Sequence, residues 1–480
     1  MGTRKKREKQ QGLWIATGEL AQPAANAFYD RLNEILDKRN FDRQVEQICG
    51  KYYTNKVGRP SITPGVYFRM LLIGYFEGLD SERGIAWRTA DSLSLRKFLG
   101  YGLEQQTPDH STISRTRRLV WVATHKAVFR WVLKIVLEEG LLEGQTVSVD
   151  ATTLEANAAM RSIVRRDSGK TYEEFLKDLA QAAGIENPTR EQLARFDRKR
   201  KKKASNQDWK HPYDADARIA KMKDGRTHMA HKVEHAVDLS SGALVAVTLQ
   251  GADLGDTTTL EETLAEAQEV AQGINERGLE EVVADKGYHS GAVLKDLQAE
   301  GIRSYIPEPE RGRRCWNGTR AEQKRVHENR RRVRGARGKR LQKKRSELTE
   351  RTFAHLYETG AMRRVHLRGR INILKRLVVH AAGFNLALVM RNRFGIGKPR
   401  RLQGLGALIF GLWDALLRTW QRISASLDRY RRFHRSERGA ASLFWLLPRR
   451  LKIDTSTTGC YGRFWVATED RYARPRIRIE

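Results

Sequence analysis

Thr146-Val147-Ser148-Val149-Asp150 alternates polar and apolar side chains and ends on a carboxylate. Alternation with a period of two marks a half-buried β-strand. The pattern returns at Glu281-Val282-Val283-Ala284-Asp285, a second short apolar run closing on an aspartate. Between them, Met229–Leu239 and Ala243–Leu249 read as strands joined by a hairpin turn, Ser240-Ser241-Gly242. A helix is expected over Thr258–Asn275, where Leu260, Leu264, Ala267, Val270 and Ala271 recur at helical spacing. Next come a helix at Gly291–Glu300, a strand at Arg303–Pro307 and a helix at Ser346–Glu358 that carries Glu350. Strands interleaved with helices in this order predict an α/β core, a mixed sheet flanked by helices.

This core occupies residues 141–385 and is interrupted by a polar, highly charged helical insertion at about 154–225 and a basic stretch at 311–345. Residues 1–44 form a basic tail and a first helix, Ala25–Lys38. Residues 45–140 are helical throughout: Thr63-Pro64 supplies an N-cap followed by proline at the first helical position. Thr107-Pro108-Asp109 opens a short segment rich in Ser, Thr and Arg, with Arg115, Arg117 and Arg118 near its end as candidate DNA contacts. Short helices punctuated in this way suit a helix-turn-helix-like DNA reader, and equally a structural helical bundle. Residues 386–480 read as a helical, then basic, C-terminal region.

The charge narrows the class of partner. The 480 residues carry a formal net charge of +32. The excess is concentrated: Arg311 to Arg345 holds sixteen Lys/Arg against Glu322 and Glu328, and Arg198 to Lys203 is six basic residues in a row. Dense cations release counterions from a phosphate backbone, so these blocks point to nucleic acid without specifying a base sequence. Cys49, Cys315 and Cys460 are far apart and form no CxxC pair, which excludes a disulfide framework and the usual structural zinc spacings. No GxxxxGK[ST] loop is present, so an ATP-driven motor is disfavoured. Met1 to Gln11 lacks the apolar core of a secretory signal. No stretch reaches the roughly 18 uncharged apolar residues that span a bilayer; the nearest, Leu402 to Trp420, contains Asp414 and Arg418.

Asp150, Asp285 and Glu350 are the candidate catalytic residues. Strand ends at one edge of a sheet converge, and α/β folds build sites there. Three carboxylates gathered in one place need cations, and oxygen-only ligands suit Mg²⁺ or Mn²⁺. Two such ions could serve an in-line attack on a phosphodiester. A rival site is the histidine set His228, His231 and His235, which would suit zinc on a helix. The alternation of Val233, His235 and Val237 instead indicates a strand, where residues 228 and 231 face opposite sides.

Several stretches resemble bacterial insertion-sequence transposases of the DDE class, in the group related to insertion sequence five. They are Gly58-Arg-Pro-Ser-Ile-Thr-Pro-Gly65, Tyr67 to Gly78, Asp80 to Gly84, Pro108 to Thr112, Val149-Asp-Ala-Thr-Thr-Leu-Glu-Ala-Asn157, Asp224 to His228, Ala284-Asp-Lys-Gly-Tyr-His-Ser290 and Glu350-Arg-Thr-Phe353. The similarity runs over roughly residues 25–395 in the expected order. It implies a ribonuclease-H-like catalytic domain holding two divalent metals, cleavage of transposon-end DNA, and joining of 3′-hydroxyls to target DNA. Asp150 matches the first aspartate, Asp285 the second and Glu350 the glutamate, with Glu347 one turn earlier as an alternative. Many relatives place Tyr, Arg and Lys around that glutamate where this chain has Lys343, Ser346 and Tyr357, and an acidic residue after Arg-Gly-Arg where it has Ile371. Lys286, His289 and Arg351, beside the matched residues, are candidate DNA contacts, as is Tyr288. The resemblance further implies double-stranded DNA as partner, a homodimer on that DNA, no membrane, and a cytoplasmic, nucleoid-associated location. A degenerate, inactive transposase repressing its own element is the rival reading.

Overall fold

The run at Thr146 opens the strand around which a six-stranded sheet is built. In the computed structural model, residues 25–399 are described apart from 54–60, 202–203, 223, 311, 313–315 and 317–318. Strand β1 (Thr146–Glu155) pairs antiparallel with β5 (Thr227–Asp238) and parallel with β7 (Glu281–Ala284), which pairs parallel with β8 (Arg303–Tyr305). The far side of β5 is shared by β6 (Leu244–Gly251) and β4 (Arg218–Lys221), both antiparallel to it. The predicted hairpin joins β5 to β6. Asp238 Oδ2 accepts from Ser241 N at 3.0 Å and from Ser241 Oγ at 2.8 Å, and Gly242 takes the turn's left-handed position with φ 78°.

Successive residues of a strand point to opposite faces, so each face of β5 names its own cover. Glu234 meets α10 (Asp256–Gln272) through Thr263, and His235 meets α13 (Ala336–Phe353) through Thr352. Between β7 and β8 lies α11 (Gly291–Ala299), and α12 (Arg320–Arg334) precedes α13. The basic stretch from Arg320 onward is therefore two consecutive helices. The helix expected at Ser346–Glu358 is the tail of α13 and one π-helical turn, Ala354–Glu358.

The insertion adds β2 (Val164–Arg165), α8 (Tyr172–Ala182), α9 (Arg190–Lys199) and β3 (Trp209–Lys210), with β2 and β3 paired as a ribbon. Both helices open on capping boxes, Thr171 with Glu174 and Thr189 with Gln192, which satisfy amides that a helix start leaves bare. Ala156, Ile163, Trp209, Ala217 and Met229 give this part a small core of its own.

The N-terminal helices are α1 (Ala25–Lys38), α2 (Phe41–Cys49), α3 (Pro64–Glu77), α4 (Glu82–Asp91), α5 (Leu93–Phe98), α6 (His110–Leu119) and α7 (Val122–Glu138). Thr63 and Pro64 start α3 as predicted, and Gly78 (φ 67°) ends it, its N–H bonding back to Gly74 and Tyr75 carbonyls. Asp109 caps α6, accepting from Thr112 N at 2.8 Å. The last described helix, α14 (Arg370–Phe394), runs through residue 385 and packs against α3, α7 and β6, so one hydrophobic core spans the N-terminal helices and the sheet. It is the one described helix long and apolar enough to cross a membrane, and nearly all of its apolar stretch is buried in the protein. The expected C-terminal helical region beyond residue 399, the basic tail, and the Leu402–Trp420 stretch lie outside the described residues.

Candidate active site

The sheet places Asp150 and Asp285 together by strand length. β1 continues five residues past Asp150, to Glu155, whereas its parallel neighbour β7 stops at Ala284. Val149 pairs with Ala284, so Asp285 turns out of the sheet beside Asp150. The expectation that both aspartates end strands is corrected here: only Asp285 leaves a strand, and its early exit opens space next to a mid-strand Asp150. Asp285 caps the turn Lys286–Tyr288, accepting from Gly287 N at 2.8 Å.

Asp150 Oδ1 accepts from Ala151 N at 2.8 Å, and Oδ2 accepts from the Arg345 guanidinium at 2.8 Å. Burial pushes the Asp150 carboxyl above the usual carboxylate range; Arg345 opposes the rise, while the Asp285 and Asp256 charges add to it. Arg345 extends from α13, whose Thr349 shares a hydrogen bond of 2.9 Å with Ser148 on the same face of β1. His235, pushed down to about 3 by burial, bonds to Thr352 Oγ1 at 2.9 Å and to Tyr357 OH, fixing the helix over β5.

On the other face lies a group that spacing did not reveal. Lys232 is buried, its Nζ 2.6 Å from Asp256 Oδ1, 2.8 Å from Thr259 Oγ1 and 3.2 Å from Glu234 Oε1. Glu234 is also buried and accepts from Thr259 Oγ1, from Thr263 Oγ1 at 2.6 Å and from Tyr288 OH at 3.1 Å. Asp256 and Asp285 meet at Gly287, where a Cβ would stand 2.4 Å from Asp256 Oδ2 and 3.0 Å from Asp285 Oδ1.

Glu350 is exposed on α13, and its carboxylate forms no hydrogen bond or ion pair among the described residues. Glu347 is exposed and paired with Arg351 at 2.8 Å. As the side chains stand, the described residues contain no group of three His, Cys, Asp or Glu arranged to hold a metal. Asp150 and Asp285 are thus brought together, and Glu350 stands apart from them on the covering helix.

A family model described as the transposase DDE domain matches residues 145–386, half of the chain, and one described as a transposase domain (DUF772) matches residues 18–119. The chain belongs to the DDE transposases of insertion sequences. No curated protein matches it. The first match spans β1 to α14 and contains all three candidate carboxylates; the second spans the described helices α1 to α6.

The remaining candidates of this transposase divide by burial. Arg115 and Arg118 are exposed along α6, while Arg117 is buried and donates to Glu82 Oε1 at 2.7 Å and Ser114 Oγ at 3.3 Å. Arg117 therefore fixes α6 to α4, and its assignment as a DNA contact is corrected. His289 and Tyr288 are buried and do not offer a DNA-facing surface either, whereas Lys286 is exposed. The histidines do not converge. His228 pairs with Asp224 at 3.0 Å, His231 lies 3.5 Å from buried Asp214, and His235 sits beneath α13. Zinc has no cluster there.

Proposed function

We propose that this transposase cuts transposon-end DNA and joins the freed 3′-hydroxyls to target DNA at a site built from Asp150, Asp285 and Glu350. The juxtaposition of Asp150 and Asp285 at the early end of β7 carries the reading. The strand sequence β6-β5-β1-β7-β8, antiparallel on one side of β1 and parallel on the other, supports a ribonuclease-H-like core. DDE transposases depend on divalent metal, typically Mg²⁺. The donor chemistry suits that requirement, since the candidate ligands are all oxygens and a guanidinium already stands as a cation against Asp150, while Glu350 would have to approach the pair. Asp150, Asp285 and Glu350 would hold the ions, which when bound would activate the attacking water or hydroxyl and stabilise the leaving oxygen.

The protein's own groups set the stage for this. Arg345 orients Asp150 and opposes the rise that burial imposes on its carboxyl. Thr349 and Thr352 hold α13 across β1 and β5, so Glu350 extends from a fixed helix. Exposed cations along α6 (Arg115, Arg118), Lys286 and Arg351 bind phosphates, and two copies of the chain bring the ends together in the nucleoid. The test is Asp150→Asn, which replaces charge at constant shape. It should abolish Mg²⁺-dependent nicking and strand transfer while end binding survives; unchanged cleavage refutes the site. Binding without nicking by the unaltered chain would favour the repressor reading.

A further inference from the structure

At the corner where α6 meets α7, two large apolar side chains face outward. Leu119 is 67% exposed and Trp121 65%, while Val120 between them is buried. Val120 and Trp121 have extended backbone, in which successive side chains alternate, so Leu119 and Trp121 share the outer side. Exposed cations surround the pair. Arg115 lies one turn before Leu119 on the same face of α6, and Arg118 stands next to it. The Lys51 ammonium sits over the Trp121 ring, 5.1 Å from its centre. Lys51 and Arg118 form no ion pair among the described residues. Trp121 is also the N-cap of α7 and supplies no side-chain cap, at a position where Ser, Thr, Asn or Asp would stabilise the helix. Its backbone is nevertheless fixed. Tyr52 Oη accepts from Trp121 N at 3.2 Å and lies 2.9 Å from Thr124 Oγ1, and the Trp121 carbonyl accepts from Thr124 N at 3.1 Å. The helix start gains nothing from the indole, yet the corner holds it in place.

Resting on the reading of this chain as a transposase that cuts DNA, we propose that Leu119 and Trp121 form an apolar wedge that enters duplex DNA at an unstacked base step. Trp121 lies on the exposed base face, and Arg115, Arg118 and Lys51 hold the flanking phosphates. Every base has a π face, so an indole accepts an unstacked base whatever its identity. Apolar side chains inserted between base steps kink the duplex at the cost of stacking, and cations beside them offset that cost by binding phosphates. An aromatic ring already fixed at its backbone loses little further freedom on binding. Charge favours this occupant over a second copy of the chain. A copy docked symmetrically on the same corner would set Arg118 and Lys51 against their own images, like charge against like. A polyanion carrying flat apolar faces matches both the rim and the centre of the patch.

The experiment measures binding of the full chain to two fluorescein-labelled duplexes of one sequence, one fully paired and one with a single central mismatch. Anisotropy is read at several salt concentrations, and thermal melting checks the fold. The mismatch has already lost much of its stacking, so the unaltered chain should bind it about tenfold more tightly. Trp121→Ser removes the ring and installs a preferred N-cap, which preserves the helix start. It should bring the two affinities within about twofold while leaving the salt slope unchanged. Trp121→Phe, which keeps a π face, should retain most of the preference. Equal binding of the two duplexes by the unaltered chain, or an undiminished preference in Trp121→Ser, overturns the wedge and leaves the cleavage reading standing. Absence of salt-dependent binding to either duplex overturns both. If light scattering of the free chain shows a lower mass for Trp121→Ser, the apolar pair joins copies of the chain and the wedge is overturned.

Discussion

Gly287→Ala is the sharpest perturbation of this site because it adds one methyl group and removes no charge. The new Cβ would lie 2.4 Å from Asp256 Oδ2 and 3.0 Å from Asp285 Oδ1. Ordinary van der Waals contact begins near 3.4 Å, so Asp256 Oδ2 must retreat by about 1 Å. It cannot do so freely, since Oδ1 is 2.6 Å from the buried Lys232 ammonium. Asp285 is held too, through its bond from Gly287 N at 2.8 Å. The glycine is not in the left-handed region, so alanine brings no backbone strain. Because Asp285 is bonded to Gly287 N, relieving the clash through the backbone carries this proposed catalytic group with it, and a 1 Å misplacement costs on the order of 100-fold in rate, equivalent to about 2.7 kcal/mol of barrier. The expected result is therefore a roughly 100-fold slower single-turnover nicking of a labelled transposon-end fragment with Mg²⁺. The melting temperature should shift by only a few degrees, because the displaced atoms are side-chain tips. Nicking within about threefold of the unaltered chain, with the fold intact, would refute the claim that these carboxylates work from their observed positions.

Other consequences follow from burial. Burial pushes His125 down to about 4 and His235 down to about 3, so both stay neutral in the fold while an unfolded histidine titrates near 6.5. The unfolded chain then binds the extra protons, and stability falls as pH drops from 6.5 toward 4, by roughly 2 kcal/mol for each histidine at pH 5. Calorimetry should show the melting temperature declining over that window, less steeply in His235→Asn; a flat profile from pH 7 to 4.5 would contradict the neutral assignments. Arg117→Ala leaves Glu82 unpaired in a buried setting and should cost about 3–5 kcal/mol, visible as a lowered melting temperature. Arg115→Ala with Arg118→Ala should leave the fold unchanged and reduce the salt dependence of end binding by about 2 in logarithmic slope. A double variant with an unaltered slope would show that α6 does not touch phosphate.

Much of the core was legible in the sequence because its elements obey simple periods. The strands at Thr146, Thr227, Leu244, Glu281 and Arg303 alternate or run apolar between turn residues, and the structure finds each within a few residues of its expected place. The N-caps at Thr63 and Asp109 were equally readable, since Thr-Pro and Pro-Asp act through local chemistry. What escaped was set by long-range pairing. That β1 outlasts β7 cannot be seen in either strand alone, yet it is what makes room beside Asp150. Arg117 looked like its neighbours Arg115 and Arg118; only the packing of α6 on α4 turns one inward and two outward.

The basic block shows most clearly why composition could not locate the working groups. Its charge reads as one undivided phosphate-binding surface, but the fold sorts it. Arg337 pairs with buried Glu281, Arg330 with Glu308, and Arg332 donates to the Ser304 carbonyl, so these cations bind the helices to the sheet. Arg345 reaches Asp150, while Arg331, Arg334, Arg340 and Lys343 remain exposed. One helical pair thus supplies structural ties, a cation for Asp150 and a row of exposed cations. Asp256 is the mirror case among the acids. In sequence it is one more carboxylate at a helix start, and its tie to the buried ammonium of Lys232 arises only where α10 packs against β5. A carboxylate at the end of an apolar run can be found by pattern; the groups it meets, chosen by which elements touch, are found only once the chain is folded.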